Sequence, residues 1–370
     1  MQLRRRQKVV TAGGALAAMA LSLAACSSSS TTSTPTSGSS TTPSSGVSSS
    51  AAAVSGTINA AGSTFQLNFQ QAALSAFKSM DPSITVNYAG VGSSTGRADL
   101  YKDTVLFAGS DSPIPSKEAS DVPAGKTVLY FPVQMGPIAI AYNLSGVTGL
   151  KLDATVLAQI FQGEITTWNN SAIAALNPGV SLPSSSITLA VRSDGSGTTA
   201  NFSQYLVDAA GSAWKLGTSS IIAWPHTARA GDGGSGVAQI VKSTPGSIGY
   251  VDFSTATASG LTAASIKNSA GDFVAPSSAS ASAAGTHVTP AANLTFLTVD
   301  EPGAASYPIT YQSWDLVYEV QPNATDVQLL QAYLGYLLGA GQQLLTTLNL
   351  APLPASIDAA AKAQLSKITS

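Results

Sequence analysis

The sequence holds one cysteine, Cys26, and two histidines, His226 and His287. A single thiol forms no intrachain disulfide, and no Cys pair is present to grip a metal. The histidines sit far apart without helical ligand spacing, so each reads as a surface or core residue and no metal is expected. Charge is scarce too, at 10% of residues, with 17 Lys+Arg against 19 Asp+Glu. The Gly/Ser/Thr-rich stretch "VRSDGSGTTANF" (191–202) contains no lysine, which excludes a Walker loop, whose Lys neutralises terminal phosphates. In "VPAGKT" (122–127) the lysine is present, but Ser120 stands where the first Walker glycine belongs. No nucleotide or other cofactor is therefore expected.

What is present begins with an address. Arg4, Arg5, Arg6 and Lys8 precede an apolar run from Val9 to Leu23, too short to span a bilayer comfortably, which ends in Leu23-Ala24-Ala25-Cys26. Residues 1–25 read as a signal peptide. The small residues before Cys26 resemble the lipobox of bacterial lipoproteins, which implies that Cys26 is acylated, becomes the new N-terminus and anchors the chain to the cell membrane from outside the cytoplasm. Residues 26–53, Ser/Thr/Pro/Gly with little that can pack, are expected to be a flexible tether. Removing residues 1–25 takes four of the 17 cations and no acid, leaving 13 against 19, a formal charge of −6. Nucleic acid is excluded as a partner on that balance.

About 315 residues remain, which by size suggests two packed lobes. Ile84, Val86 and Tyr88 alternate as a strand. Phe65, Phe69, Ala73 and Phe77 recur every four residues, Phe202, Tyr205, Leu206 and Ala209 mark another helical face, and Val327, Leu330, Leu334, Leu337 and Leu338 a late amphipathic helix. Strands alternating with helices predict an α/β fold whose parallel or mixed sheets are covered on both faces, with ligands collecting beyond the carboxyl ends of the strands. The Ala/Ser-rich stretch from about Ala275 to Gly285 reads as a surface loop.

Three strand-to-helix turns stand out. Gly62, Ser63 and Thr64 precede the Phe65 stripe; Gly92, Ser93 and Ser94 follow the strand ending near Tyr88; Ser196, Gly197 and Thr198 follow a strand from Thr188 to Val191. Each presents free N–H groups, a hydroxyl and the positive end of a helix dipole toward one point. In a chain this rich in Gly and Ser, one such turn is an ordinary N-cap. Three in the same structural position suit a small dehydrated oxyanion, whose acceptors neutral donors satisfy without a basic protein. Arg192 adds a forked cation, and Asp194 either orients it or serves as a helix N-terminal acid.

"DTVLFAGSDSPI" supplies the contrast. Val105 to Ala108 reads as a buried strand with Asp111 at its carboxyl end. A capping role is the plain alternative. Facing an oxyanion, an ionised Asp can only accept, so it is attractive only where the ligand oxygen carries a proton. Phosphate keeps a proton at neutral pH and sulfate does not. The penalty for two facing acceptors in a dry site is several kcal/mol, a discrimination of roughly 10³. The competing class is an enzyme: Gly92-Ser93-Ser94-Thr95-Gly96 satisfies G-x-S-x-G on a strand-to-helix turn, which would make Ser94 a hydrolase nucleophile. No HGGG-type oxyanion loop accompanies it, and the other two turns would be left unexplained.

The landmarks "AGSTF", "YAGVGSSTG", "FAGSDSPI", "FQGEITTWNNSAIAALNPG", "VRSDGSGTT", "GSIGYVDF" and "LAPLP", in this order over residues 55 to 365, resemble those of the PstS family, the phosphate-binding proteins of bacterial phosphate ABC transporters. The resemblance implies a two-lobed type II periplasmic-binding-protein fold, each lobe a mixed sheet flanked by helices, that hinges shut on inorganic phosphate for delivery to a membrane permease driven by an ATPase, with no chemistry of its own. By position it implies phosphate contacts from Thr64, the Phe65 N–H, Ser93, Asp111, Arg192, Ser196, Gly197 and Thr198, with Asp194 supporting Arg192. The departures are Gln66, where the family often has proline, and Thr95, where it often has glycine. Crossovers in "PVQMGPIAIAYN" and "YPITYQSWDLVY" resemble hinge strands and divide the chain into lobe I, residues 54–135 and 309–370, and lobe II, residues 136–308. A binding protein for sulfate, molybdate or arsenate is the nearer rival.

Overall fold

Apolar alternations punctuated by glycine-led turns set the order of elements in the computed structural model, which describes residues 54–370. The signal peptide, Cys26 and the tether fall outside the described residues. The first part runs β1 (Gly56–Gly62), α1 (Leu67–Met80), β2 (Ile84–Gly90), α2 (Ser93–Tyr101), β3 (Phe107–Ser110) and the long β4 (Val128–Tyr142). The middle continues β5 (Lys151–Leu152), α3 (Ala154–Phe161), α4 (Ser171–Leu176), β6 (Thr188–Arg192), α5 (Gly197–Ala210), β7 (Arg229–Gly231), α6 (Gly233–Ser243), β8 (Ser247–Asp252) and α7 (Phe253–Ala258). The last part holds β9 (Thr262–Ala263), β10 (Ser265–Lys267), β11 (Phe273–Val274), α8 (Ser278–Gly285), β12 (Thr310–Tyr318), α9 (Ala324–Leu338), α10 (Gln342–Thr347) and α11 (Ala355–Gln364).

The main sheet has the order β2-β1-β3-β12-β4-β8-β6-β7, with β9 added on β4. β1 pairs in parallel with both β2 and β3, and β6 in parallel with both β8 and β7. β12 and β4 run antiparallel to their neighbours, so the sheet is mixed. β4 changes partner along its length, pairing with β12 up to Pro137 and with β8 from Ile138. Register brings the carboxyl ends of the parallel strands level, with Gly62 opposite Gly90 and Gly109, and Arg192 opposite Gly231. The turns that follow those ends therefore open at the same edge of each half.

The aromatic stripe of the first helix is core. Phe65, Phe69, Ala73 and Phe77 are all buried, and Phe77 meets the Tyr333 ring of α9 edge-on at 5.1 Å. Burying each Phe side chain stabilises the fold by about 2–3 kcal/mol, and Phe69→Ala would cost about 3–5 kcal/mol. In α5, Phe202 stacks on Tyr250 of β8 at 4.7 Å.

Two expectations need correction. The strand before Asp111 starts at Phe107 and not at Val105, because Leu106 spends its N–H on the Asn59 carbonyl ahead of the regular ladder and only Phe107 onward is fully buried. The stretch read as a surface loop at 275–285 contains α8, opened by a capping box in which the Ser277 and Ser280 side chains each bond the other's backbone N–H. Alanine is the best helix former, and Ala281 and Ala284 are fully buried against the core. Low complexity concealed a helix whose packing face is made of small residues.

Candidate functional site

The three turns singled out in sequence meet at the edges just described. The second is held by Asp111, which immediately follows β3 and is 1% exposed. Its carboxylate divides its work. Oδ1 accepts from Ser313 Oγ of β12 at 2.6 Å, and Ser313 in turn accepts from Gln66 Nε2 at 2.8 Å. Oδ2 faces the other way, accepting from Ser93 Oγ at 3.3 Å, while the Asp111 N–H donates to the same Ser93 oxygen at 3.2 Å. The Asp111 carbonyl is fixed by Asn201 of α5 at 2.6 Å and Gln312 of β12 at 3.1 Å. Among the described residues no cation pairs with this carboxylate. Burial pushes its pKa up to about 6, against which the hydroxyls of Ser313, Ser63 and Ser93 and the charge of Arg192 act only in part.

Across from Asp111 stands the start of α5. Ser196 is its N-cap, accepting the Thr199 N–H at 3.1 Å, and Gly197 and Thr198 open the first turn, where N–H groups have no partner inside the helix. Gly197 is there for room. A Cβ on it would lie 2.5 Å from Ser93 Oγ and 2.6 Å from Asp111 Oδ2. Any side chain would fill the gap between the two halves.

Arg192, the last residue of β6, is 6% exposed and forms a bidentate pair with Asp194, Nε to Oδ1 at 2.6 Å and Nη2 to Oδ2. The remaining fork nitrogen, Nη1, reaches Thr198 Oγ1 at 3.5 Å. Burial works against both charges, yet Arg192 holds the Asp194 carboxyl below its usual range and Asp194 holds the Arg192 guanidinium above its own. The Gly233 N–H adds a bond to Asp194 Oδ1 at 3.2 Å. Of the two roles considered for Asp194, orienting the guanidinium is the one its contacts describe.

Thr64 is half-buried, and its Oγ1 accepts from the Gly234 N–H at 3.4 Å. The Phe65 N–H, expected to face an anion, is occupied by Ser63 Oγ at 3.0 Å. Thus Thr64, Ser93, Asp111, Arg192, Ser196, Gly197 and Thr198 line one junction between the two halves of the sheet, with Phe65 against its first wall.

Several residues at this junction escaped the sequence reading. Gly233 and Gly234 begin α6 after β7, a fourth strand-to-helix turn whose legible signal was "GDGGSG". Asp252 ends β8, caps α7 by accepting the Thr255 N–H at 2.8 Å, and is pushed up by burial. Gln66 does more than start a helix, since it holds Ser313 and hence Asp111. The Tyr311 hydroxyl is buried without a partner, its ring stacked on Phe65 at 3.9 Å. Nothing in the pattern of β12 announced Ser313 or Tyr311, because their contacts lie more than 200 residues away along the chain. Among the described residues no cluster of His, Cys, Asp or Glu is placed to hold a metal.

The model of the PBP superfamily domain matches residues 47–340. Phosphate-binding protein PstS 3 of Mycobacterium tuberculosis is 38% identical over 311 residues, 80% of this chain and 83% of the relative. The chain belongs to the PstS family. Its similarity extends to phosphate-binding protein PstS of Haemophilus influenzae, 33% identical over 318 residues and covering 84% of this chain and 93% of that one. A high affinity periplasmic phosphate-binding protein (PfluDING), solved with phosphate, matches with a TM-score of 0.70 at 22% identity, covering 84% of this chain and 94% of that one. At that identity the likeness concerns the fold, which is the type II periplasmic-binding-protein fold. PstS proteins are substrate-binding proteins and not enzymes, and the nucleophile reading of Ser94 falls with that. Its hydroxyl bonds Ser220 and Arg97, with no histidine among its partners.

Proposed function

We propose that this protein binds inorganic phosphate outside the cytoplasm and delivers it to the permease of a phosphate ABC transporter, whose ATPase drives release. Lobe I, residues 54–135 and 309–370, and lobe II, residues 136–308, close on the ion; the change of partner within β4 at Ile138 and the start of β12 at Thr310 support this division. Thr64, Ser93 and Asp111 serve from lobe I, and the Phe65 N–H joins them by exchanging Ser63 Oγ for the anion. Arg192, Ser196, Gly197 and Thr198 serve from lobe II, with Asp194 orienting Arg192. Tyr311 Oη, orphaned and buried, is one more available donor. Cys26 carries the lipid anchor, and the tether keeps the binding domain concentrated near the membrane.

The observation that carries the reading is a buried carboxylate with no cation partner, Asp111 Oδ2, set beside the Ser93 hydroxyl and opposite the first turn of α5. An anion facing it must bring a proton to share. Phosphate does so at neutral pH, and sulfate does not. The test is calorimetric titration of residues 54–370, stripped of endogenous ligand, with phosphate, sulfate, molybdate and arsenate. Phosphate is expected to bind far more tightly than sulfate; equal affinities would contradict the assignment.

A further inference from the structure

The G-x-S-x-G serine is left without a task once hydrolysis is set aside, yet it stands at a second contact between the two lobes. The Ser94 N–H donates to the Gly195 carbonyl at 3.1 Å, and Ser94 Oγ lies 3.2 Å from Ser220 Oγ. Ser94 is the second residue of α2 in lobe I, whereas Gly195 and Ser220 belong to lobe II. The direction of the hydroxyl follows from its other neighbour. Arg97 Nη2 sits 3.3 Å from Ser94 Oγ and can only donate, so the serine accepts there and its one proton goes to Ser220. Arg97 is itself fixed: it is fully buried, with Nε and Nη2 on the two oxygens of Glu118 at 2.8 and 2.9 Å and Nη1 on Ser110 Oγ at 3.0 Å. On the far side the Ser196 N–H donates to the Ser220 carbonyl at 3.0 Å, tying Ser220 to the start of α5.

We propose that Ser94 is a closure latch, a positioning residue that holds the lobes shut by bonding Gly195 and Ser220 without touching the anion. The inference rests on the phosphate-binding reading above. A bond made only across the closed cleft has no counterpart in the open form, so it slows ligand release while leaving capture and anion choice alone. Gly195 supplies the complementary surface. A Cβ there would lie 2.5 Å from Ser94 Cβ and 2.6 Å from its Oγ. Gly195 does not use the left-handed backbone region, so alanine is tolerated within lobe II and collides only with lobe I.

Two variants and stopped-flow phosphate release from the protein spanning 54–370 test this. Ser94→Ala is expected to speed release about three- to tenfold with the association rate and the phosphate-to-sulfate affinity ratio unchanged. Gly195→Ala is expected to weaken phosphate binding by at least about tenfold and to leave a larger scattering radius at saturating phosphate, while the ligand-free melting temperature stays at the wild-type value. Unchanged release from Ser94→Ala together with full compaction of Gly195→Ala would overturn the latch. A shifted phosphate-to-sulfate ratio in Ser94→Ala would overturn it as well, by making Ser94 part of the anion cradle. A wild-type protein that takes up no phosphate would instead overturn the functional reading and the latch that rests on it.

Discussion

Two aspartates face one junction and carry opposite shifts. Asp194 is locked in a bidentate pair with Arg192 and held ionised below its usual range, although burial opposes it. Asp111 is more deeply buried, has hydroxyls and no cation for partners, and is pushed up to about 6. The same side chain is thus a counter-ion on one side of the cleft and, on the other, a carboxylate without a cation, to which we assign the reading of the anion's proton. What separates them is whether a charge or only neutral dipoles replace the lost water. Asp315 extends the comparison. It lies in β12 with both oxygens buried and unbonded, because the Gln66 and Gln70 amides are committed to Ser313, Trp314 and each other. Burial pushes it up to about 7, with those glutamines offsetting only part.

The largest effect should come from breaking the counter-ion side. Arg192→Ala removes the cation and strands Asp194 in the cleft, and phosphate affinity measured by calorimetry should fall by about 3–5 kcal/mol, with sulfate weakened in parallel. A loss confined to phosphate would place Arg192 elsewhere in the mechanism.

Asp315 isolates burial from ligand. Its folded pKa lies above its unfolded value, so the native state keeps a proton that the unfolded chain gives up. Its contribution to stability is therefore greatest below about pH 4, declines as pH rises, and is gone above about 7. Asp315→Asn removes that decline and should stabilise the protein at pH 8 by up to about 4 kcal/mol, while matching it near pH 4. Parallel urea-unfolding curves at the two pH values would show that Asp315 finds a partner in solution.

Breaking the proton reader changes choice more than strength. Asp111→Asn offers an amide where the carboxylate could only accept, and the phosphate-to-sulfate ratio should fall by roughly a hundredfold. Lowering pH imitates the change by a smaller amount. As pH falls through about 6, Asp111 takes up a proton and becomes a donor that sulfate can use, so the same ratio should narrow about tenfold between pH 7.5 and pH 5. A ratio indifferent to pH would mean that Asp111 does not read the anion's proton.

How far the chain could be read depended on whether a signal was local. The strand from Thr188, expected to end at Val191 and running one residue further to Arg192, the stripe Phe69–Ala73–Phe77 and the turn at Ser196 are each written within one or two turns of chain, and each stands within a residue of where sequence put it. The helix at 278–285 was missed because its packing face is alanine, which carries no periodic contrast against serine. The fourth turn at Gly233 was legible in kind but hidden among other glycine-rich segments. Ser313 and Tyr311 carried no signal, for their meaning comes from neighbours on distant elements.

Sequence alone carried the landmarks that resemble the PstS family, and it set most of the strands and helices and the residue types offered at each turn, because propensity, capping and hydrophobic period act over a few residues. Tertiary structure decided which hydroxyl occupies Asp111 Oδ1, which peptide group meets Ser94, and why one aspartate is held ionised while another climbs toward neutrality. Those outcomes depend on water removed and dipoles brought in by strands far apart in the chain, and desolvation belongs to the assembled fold and not to any segment of it.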